Sequence, residues 1–199
     1  HDAMTAAGAR WGCSWGLEVP NYFAPEGFEE TPTLRRSNAH PIVAEECRAL
    51  REGCGLIDTA GFSRFEVTGP AAEAWLDRLT ASRLPKPGRA RLAPMLGPDG
   101  RLKGDLTLFN WGDGTWWIMG SYYLRAWHAR WFADHGHPGA TVRDISDATA
   151  GFALAGPNAR AILSELVVDA DPATVLSNRR FPWLSMRRIE LGMVPVMGI

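Results

Sequence analysis

The sequence predicts an α+β domain in which antiparallel sheets are flanked by helices and two strand-helix halves are related to each other. Three observations carry that reading. Segments that alternate in the strand manner are interspersed with segments of helical period, Gly112, Asp113 and Gly114 mark a hairpin, and a strand, Gly-Pro, helix pattern occurs twice. The hairpin weighs against a doubly wound parallel sheet. No GxGxxG opens any of the helices, so a dinucleotide site within these residues is not expected.

In chain order, residues 1–38 read as irregular. A short helix at 3–9 precedes Trp11, Trp15, Tyr22 and Phe23, which are strung between Gly12, Gly16, Pro20 and Pro25, the composition of an extended connecting arm. Residues 41–53 give the first helix: Pro41 suits its first position, Ile42, Val43, Cys47, Leu50 and Cys54 share a face, and Gly53 or Gly55 stops it. The stretch FSRFEVT over 62–68 is a strand, and Gly69 and Pro70 launch a helix with Ala71, Trp75 and Leu79 on one stripe.

Residues 89–96 form a second strand that leads into the turn Gly97, Pro98, Asp99, Gly100 and then the strand at 106–109. That strand pairs with TWWIMG at 115–120 across the glycine turn. Residues 121–134 are helical with Leu124, Trp127 and Trp131 on one face, and strands follow at 141–145 and 151–155. The sequence then repeats itself: GPAAEAWLDRL at 69–79 and GPNARAILSEL at 156–166 agree at six of eleven positions. Gly-Pro is also simply a good strand-to-helix junction, so both readings stand. Two more strands are expected at 186–191 and 193–197.

Composition narrows the function. A chain of 199 residues with 46% hydrophobic residues and nine Trp builds a core rather than a disordered segment. The net charge is −1, and the 21 basic residues, of which only Lys86 and Lys103 are lysines, are spread too thinly for a nucleic-acid stripe. The odd cysteine count and the lack of CxxC spacing speak against a disulfide framework or a zinc site, and Cys47 and Cys54 read as small core residues. No apolar run is long enough to span a bilayer and no signal-peptide pattern opens the chain, which points to a soluble protein of the cytoplasm, or of the mitochondrial matrix in a eukaryote. The first Met stands at position 4 and the last residues are the apolar MVPVMGI, so the chain reads as a segment of a longer polypeptide.

Few residues suggest chemistry by themselves. There is no GxSxG, and the histidines at 1, 40, 128, 135 and 137 have no catalytic or metal-binding motif around them. Asp105 stands out because it lies where the turn at 97–100 meets a strand, a junction at which an acid can face a pocket or merely cap the turn.

The blocks GLIDTAGFSRFEVTGPAAEAWLDRL, PGRARLAPMLGPDGRLKGDLTLF, TWWIMGS and GFALAGPNARAIL, in this order and spacing, resemble the folate-binding domain of the glycine-cleavage aminomethyltransferase (T-protein) family. The resemblance covers roughly residues 41–199, so that 39–199 read as the N-terminal part of such a domain. Residues 1–38 look like the connecting segment of the dimethylglycine and sarcosine dehydrogenase family, in which a flavin (FAD) domain precedes the folate domain. The resemblance implies that Asp105 lies close to the reactive nitrogens of tetrahydrofolate as a buried carboxylate. It further implies that a small methylated amine is oxidised to an iminium ion, that the folate nitrogen attacks its methylene carbon, and that methylenetetrahydrofolate forms as the amine leaves. Leu92, Met95 and Ile118 would then offer flat apolar walls to the pterin, although taken alone they are ordinary core residues. Implied partners are the small amine and a flavin dehydrogenase domain or subunit, with neither nucleic acid nor membrane.

The sequence departs from the family at two places. Leu92 replaces a common Tyr, and Lys103 and Gly104 precede Asp105 where a small polar or acidic residue is usual, so Lys103 could neutralise Asp105 or bind a substrate carboxylate. The family's Y-x-G-E-x-G segment, whose Glu holds the pterin, would come after the last residue here. Two alternatives remain open: a non-catalytic T-protein-like structural or interaction module, and a folate-dependent demethylase of another methyl donor.

Overall fold

The computed structural model describes residues 1–14 and 16–199, so the expectation for Trp15 lies outside the described residues. Two compact units divide the chain, His1–Ile57 with Ala153–Ala159, and Asp58–Phe152 with Arg160–Ile199.

The first unit corrects the extended-arm expectation. A short helix α1 (Asp2–Ala6) leads into a hairpin of β1 (Ala9–Ser14) and β2 (Leu17–Phe23), in which Ala9 pairs with Phe23 and Ser14 with Leu17. The hairpin has its own small core, in which Tyr22 packs with Ala24 and Ala39 and meets Phe28 edge-on at 6.2 Å. Helix α2 (His40–Glu52) carries the expected Pro41 in its first turn, one residue after its start, and Ile42 joins this cluster. No residue of α2 is fully buried and Cys47 is exposed, so the reading of Cys47 as a core residue fails. Strand β3 (Gly55–Asp58) follows.

The second unit is built on a five-stranded antiparallel sheet. Its parts are β4 (Phe62–Thr68), helix α3 (Ala72–Leu79), β5 (Arg89–Leu96), β6 (Leu102–Asn110), β7 (Trp116–Ser121), helix α4 (Arg125–Asp134) and β8 (Thr141–Asp144). The strand order is β5-β6-β7-β4-β8, and the hairpin read from Gly112 to Gly114 joins β6 to β7. One face of the sheet buries Phe65, Val67, Ala93, Met95, Leu106, Leu108 and Ile118 against Trp75, Leu76 and Leu79 of α3 and Phe132 of α4. The Phe132 ring meets Phe65 edge-on at 5.1 Å and Trp75 at 5.9 Å, the arrangement that ring quadrupoles prefer. On α4 the buried residues are His128 and Phe132, so the stripe expected from Leu124, Trp127 and Trp131 is rotated by about one residue.

Strand β9 (Phe152–Ala155) pairs with β3 in a separate two-stranded sheet. Helices α5 (Ala159–Leu166) and α6 (Pro172–Val175) and the hairpin of β10 (Arg187–Leu191) and β11 (Val194–Gly198) complete the chain. The repeated Gly-Pro motif has the same local geometry in both copies. Gly69 has φ 108° and Gly156 φ 121°, and a Cβ on either would come within 2.5 Å of a backbone oxygen, of Gly139 and Gly53 respectively. Only glycine fits such a junction.

Arg125, at the start of α4, ties the helix to the sheet edge. Its Nε donates to Asp144 at 2.5 Å and its Nη1 to Asp147 at 2.8 Å. Burial pushes the Asp144 carboxyl up, but the hydrogen bonds from Arg125 and Ser146 outweigh it and hold the group below the usual 3.8. The depressed value means that this contribution is present at neutral pH and is lost as the pH falls below 3.8. Asp144→Asn is therefore expected to lower stability by about 1 kcal/mol at neutral pH and by progressively less as the pH falls below 3.8, as read by urea unfolding across that range.

Candidate functional site

Successive residues of β6 point to opposite faces of the sheet, so Leu106 and Leu108 enter the helix-covered core while Asp105 and Thr107 take the other face. That second face is covered only in part. Ala90, Phe109 and Met186 are buried there, with Trp111, Trp117, Met119 and Leu184 packed around them. The cover is brought by the segment before β10, where the Leu184 carbonyl accepts from Ala90 N–H at 2.8 Å and Met186 N–H donates to the Gly88 carbonyl at 2.9 Å.

Beyond that cluster the face is open, and here Asp105 stands. Register places Pro94 opposite Asp105, Leu92 opposite Thr107, Thr107 opposite Met119, Met119 opposite Arg64, and Phe62 opposite Ser121. Leu92 is 66% exposed and Phe62 43%, both large apolar side chains on the side that carries the acid. Asp105 is itself exposed, and its carboxylate has no hydrogen-bond or ion-pair partner among the described residues. The expectation of a buried carboxylate is therefore corrected: among the described residues nothing covers it. Two cavities of about 200 and 320 Å³ flank the helices, and Asp105 lines neither.

Of the residues expected to wall a pterin, Leu92 shares the face of Asp105, whereas Met95 and Ile118 do not. Both are 0% exposed in the core beneath the sheet, because the strand pleat sends them to the side opposite Leu92 and Met119. Lys103 is likewise turned away. Met95 pairs with Gly104 and Leu96 with Leu102, so Lys103 is the extra residue of a β-bulge. Its ammonium lies 3.7 Å from Asp99 and 6.0 Å from the Trp131 ring centroid, and it does not neutralise Asp105.

Arg64, which a single-sequence reading passes over as one more strand residue, is a cation on this face. It is 6% exposed, and its guanidinium donates to Thr59 O at 3.0 Å, Thr59 Oγ1 at 3.2 Å and Phe62 O at 3.3 Å. Burial lowers its pKa while Asp58 raises it. Phe62 and Ser121 were also missed, because their place on the face that carries Asp105 depends on the strand order. Among the described residues no group of three His, Cys, Asp or Glu side chains could hold a metal ion, and no helix is long and apolar enough to cross a membrane.

The chain is 28% identical to the mitochondrial dimethylglycine dehydrogenase of Rattus norvegicus over 189 residues, 92% of this chain and 22% of that protein. It is 33% identical to a probable aminomethyltransferase of Natronomonas pharaonis over 174 residues, 84% of this chain and 44% of that one. This chain thus spans about a fifth to under half the length of these relatives. Among solved structures, the glycine cleavage system aminomethyltransferase T from Bartonella henselae superposes with a TM-score of 0.72 at 19% identity, covering 93% of this chain and 45% of that one. The heterotetrameric sarcosine oxidase of Corynebacterium sp. U-96 gives a TM-score of 0.55 at 21% identity, covering 83% of this chain and 80% of that one. These likenesses bear on the fold. The model of the GCVT N-terminal domain matches residues 1–199, and the chain belongs to that family.

Proposed function

We propose that the chain supplies the folate-facing sheet of a one-carbon transfer reaction in a larger flavin-dependent dehydrogenase that demethylates small N-methylated amines such as dimethylglycine or sarcosine. The observation that carries the reading is Asp105: a carboxylate without a protein partner, on an open sheet face edged by the exposed Leu92 and Phe62. The names of the dimethylglycine dehydrogenase and aminomethyltransferase relatives support it.

A reduced pterin has flat apolar faces and ring nitrogens that become cationic as they react, and these residue types suit it. Leu92 and Phe62 would hold the ring by contact, and Asp105 would face its nitrogens. Tetrahydrofolate, when bound, supplies the nitrogen that takes up the one-carbon unit. Asp105 attracts the positive charge that develops there and accepts the proton that must leave. Both effects grow when water is excluded. We place the cover over this face in parts of the parent protein outside the sequence, in keeping with the 22% of the rat dehydrogenase that the chain spans. Residues 1–38, an N-terminal hairpin and its following loop, we read as the connection to an upstream FAD domain. The mitochondrial relatives favour the matrix for a eukaryotic source.

The second reading is a non-catalytic module. Leu92, which brings neither a ring nor a hydroxyl, and the exposure of Asp105 favour it. Titration of the full-length protein with tetrahydrofolate separates the two. Binding is expected, and Leu92→Tyr should tighten it by about three- to tenfold through added ring contact without disturbing the core. No binding by either form would leave the structural module standing.

A further inference from the structure

His128 is 1% exposed in the middle of α4, and among the described residues neither ring nitrogen makes a well-formed hydrogen bond, the backbone of Lys103 offering the ring only a marginal one. Its ring is pressed against two strands at positions with no side chain. A Cβ on Gly104 would lie 2.9 Å from Nε2, and one on Gly120 would lie 3.2 Å from Cε1 and 3.3 Å from Nδ1. From the helix side Phe132 stacks against the ring at 6.1 Å and 21°. Gly104 immediately precedes Asp105, and Gly120 precedes Ser121 on the neighbouring strand. The carbonyl of Lys103, the bulged residue, accepts from Trp127 Nε1 at 3.0 Å, so α4 grips the same strand end twice.

A buried imidazole without a well-formed hydrogen bond is less favourable than an apolar ring of similar size, so packing alone does not account for a histidine here. We propose that His128 is a positioning residue for Asp105: its neutral ring fills the space that Gly104 and Gly120 leave beneath the sheet and fixes the height of the strand end that presents the carboxylate. The claim rests on the folate reading for what Asp105 does, but not for the coupling between ring and strand. Protonation would place an unpaired charge in the core and push the strand outward. Burial already lowers the His128 pKa from 6.5, with the Lys103 carbonyl pulling weakly the other way. Among the described residues no ion pair reaches the ring, and no charged side chain is among the causes that shift its pKa. The charged groups on the elements packed against it are Lys103, held by Asp99, and Asp105 on β6, Arg125, held by Asp144 and Asp147, with Arg130, Asp134 and the titratable His135 on α4. β7 carries none, and on β5 the residue at Gly104 is Met95, with Arg89 and Arg91 farther along.

The test compares the full-length wild type with His128→Phe, a ring that cannot titrate. Ligand-free hydrogen exchange, corrected for intrinsic rates, is expected to show the amides of Leu106 and Leu108 opening more readily as the pH falls below 6.5, by up to about tenfold per pH unit. The variant should lose that dependence. With substrate, it should lower kcat by about tenfold through the larger ring and leave tetrahydrofolate Kd within twofold. Matching exchange profiles and equal kcat in the two proteins would overturn the proposal. Should His128→Phe fail to fold, the wild type decides alone: opening of β6 ahead of Phe65 and Val67 on β4 supports it, and simultaneous opening refutes it. An intact exchange signature in a protein whose Asp105→Asn form transfers normally would remove the folate reading while leaving the ring-strand coupling in place.

Discussion

Asp105→Asn in the full-length protein is expected to lower tetrahydrofolate-dependent transfer by about a hundredfold or more, the range over which a positioned acid-base group acts. The side chains are nearly the same size, so the difference lies in charge. The amide can neither neutralise a cationic nitrogen nor take its proton. Because Asp105 is exposed and unpartnered, the substitution should leave the unfolding midpoint almost unmoved, within about 0.5 kcal/mol. That separation of activity from stability is what makes the variant informative. Yields of methylenetetrahydrofolate within twofold of wild type, at equal enzyme and folate, would take Asp105 out of the mechanism and turn attention to the non-catalytic module.

Phe65→Ala should give the largest loss of stability among single core changes, about 3–5 kcal/mol. Phe65 is 2% exposed, lies in the second strand from the sheet edge, and is the ring on which Phe132 closes edge-on at 5.1 Å. Phe132 also meets Trp75, so the cavity would open at the point where both helices and the sheet converge, with no side chain free to fill it. Guanidinium unfolding of the same full-length protein provides the check. A loss under about 1 kcal/mol would mean that the helices repack over the sheet, and that this face of the core is less tightly specified than its contacts indicate. Since Phe65 points away from Asp105, tetrahydrofolate affinity of the folded fraction should stay near wild type.

Local pattern carried much of the secondary structure. Residues 62–68, 89–96 and 106–109 alternate because one face of the sheet is filled by α3 and α4, and alternation is the trace such burial leaves. Gly112 to Gly114 and the two Gly-Pro junctions were legible because their backbone conformations admit few residue types; Gly69 and Gly156 both have positive φ. The hairpin at 9–23 was not legible. Its Pro and Gly content obscures the alternation, and what stabilises it, Tyr22 on Phe28 and Ala39, comes from residues outside the hairpin. The helix at 40–52 was legible as a helix, but whether Cys47 on it is covered depends on neighbours that periodicity does not name.

For the candidate site, the sequence by itself determined that an acid follows a turn into a strand, and, through the order of its motifs, which family the chain resembles. Only the tertiary structure decided which side chains share the acid's side of the sheet. Pleating sends Met95 and Ile118 into the core and leaves Leu92 beside Asp105, the bulge swings Lys103 toward Asp99, and the strand order brings Phe62 and Arg64 across from a distant part of the chain. The reason is that a strand's periodicity records which residues alternate, whereas register and strand order, set by long-range pairing and by the helices packed beneath, determine who their neighbours are.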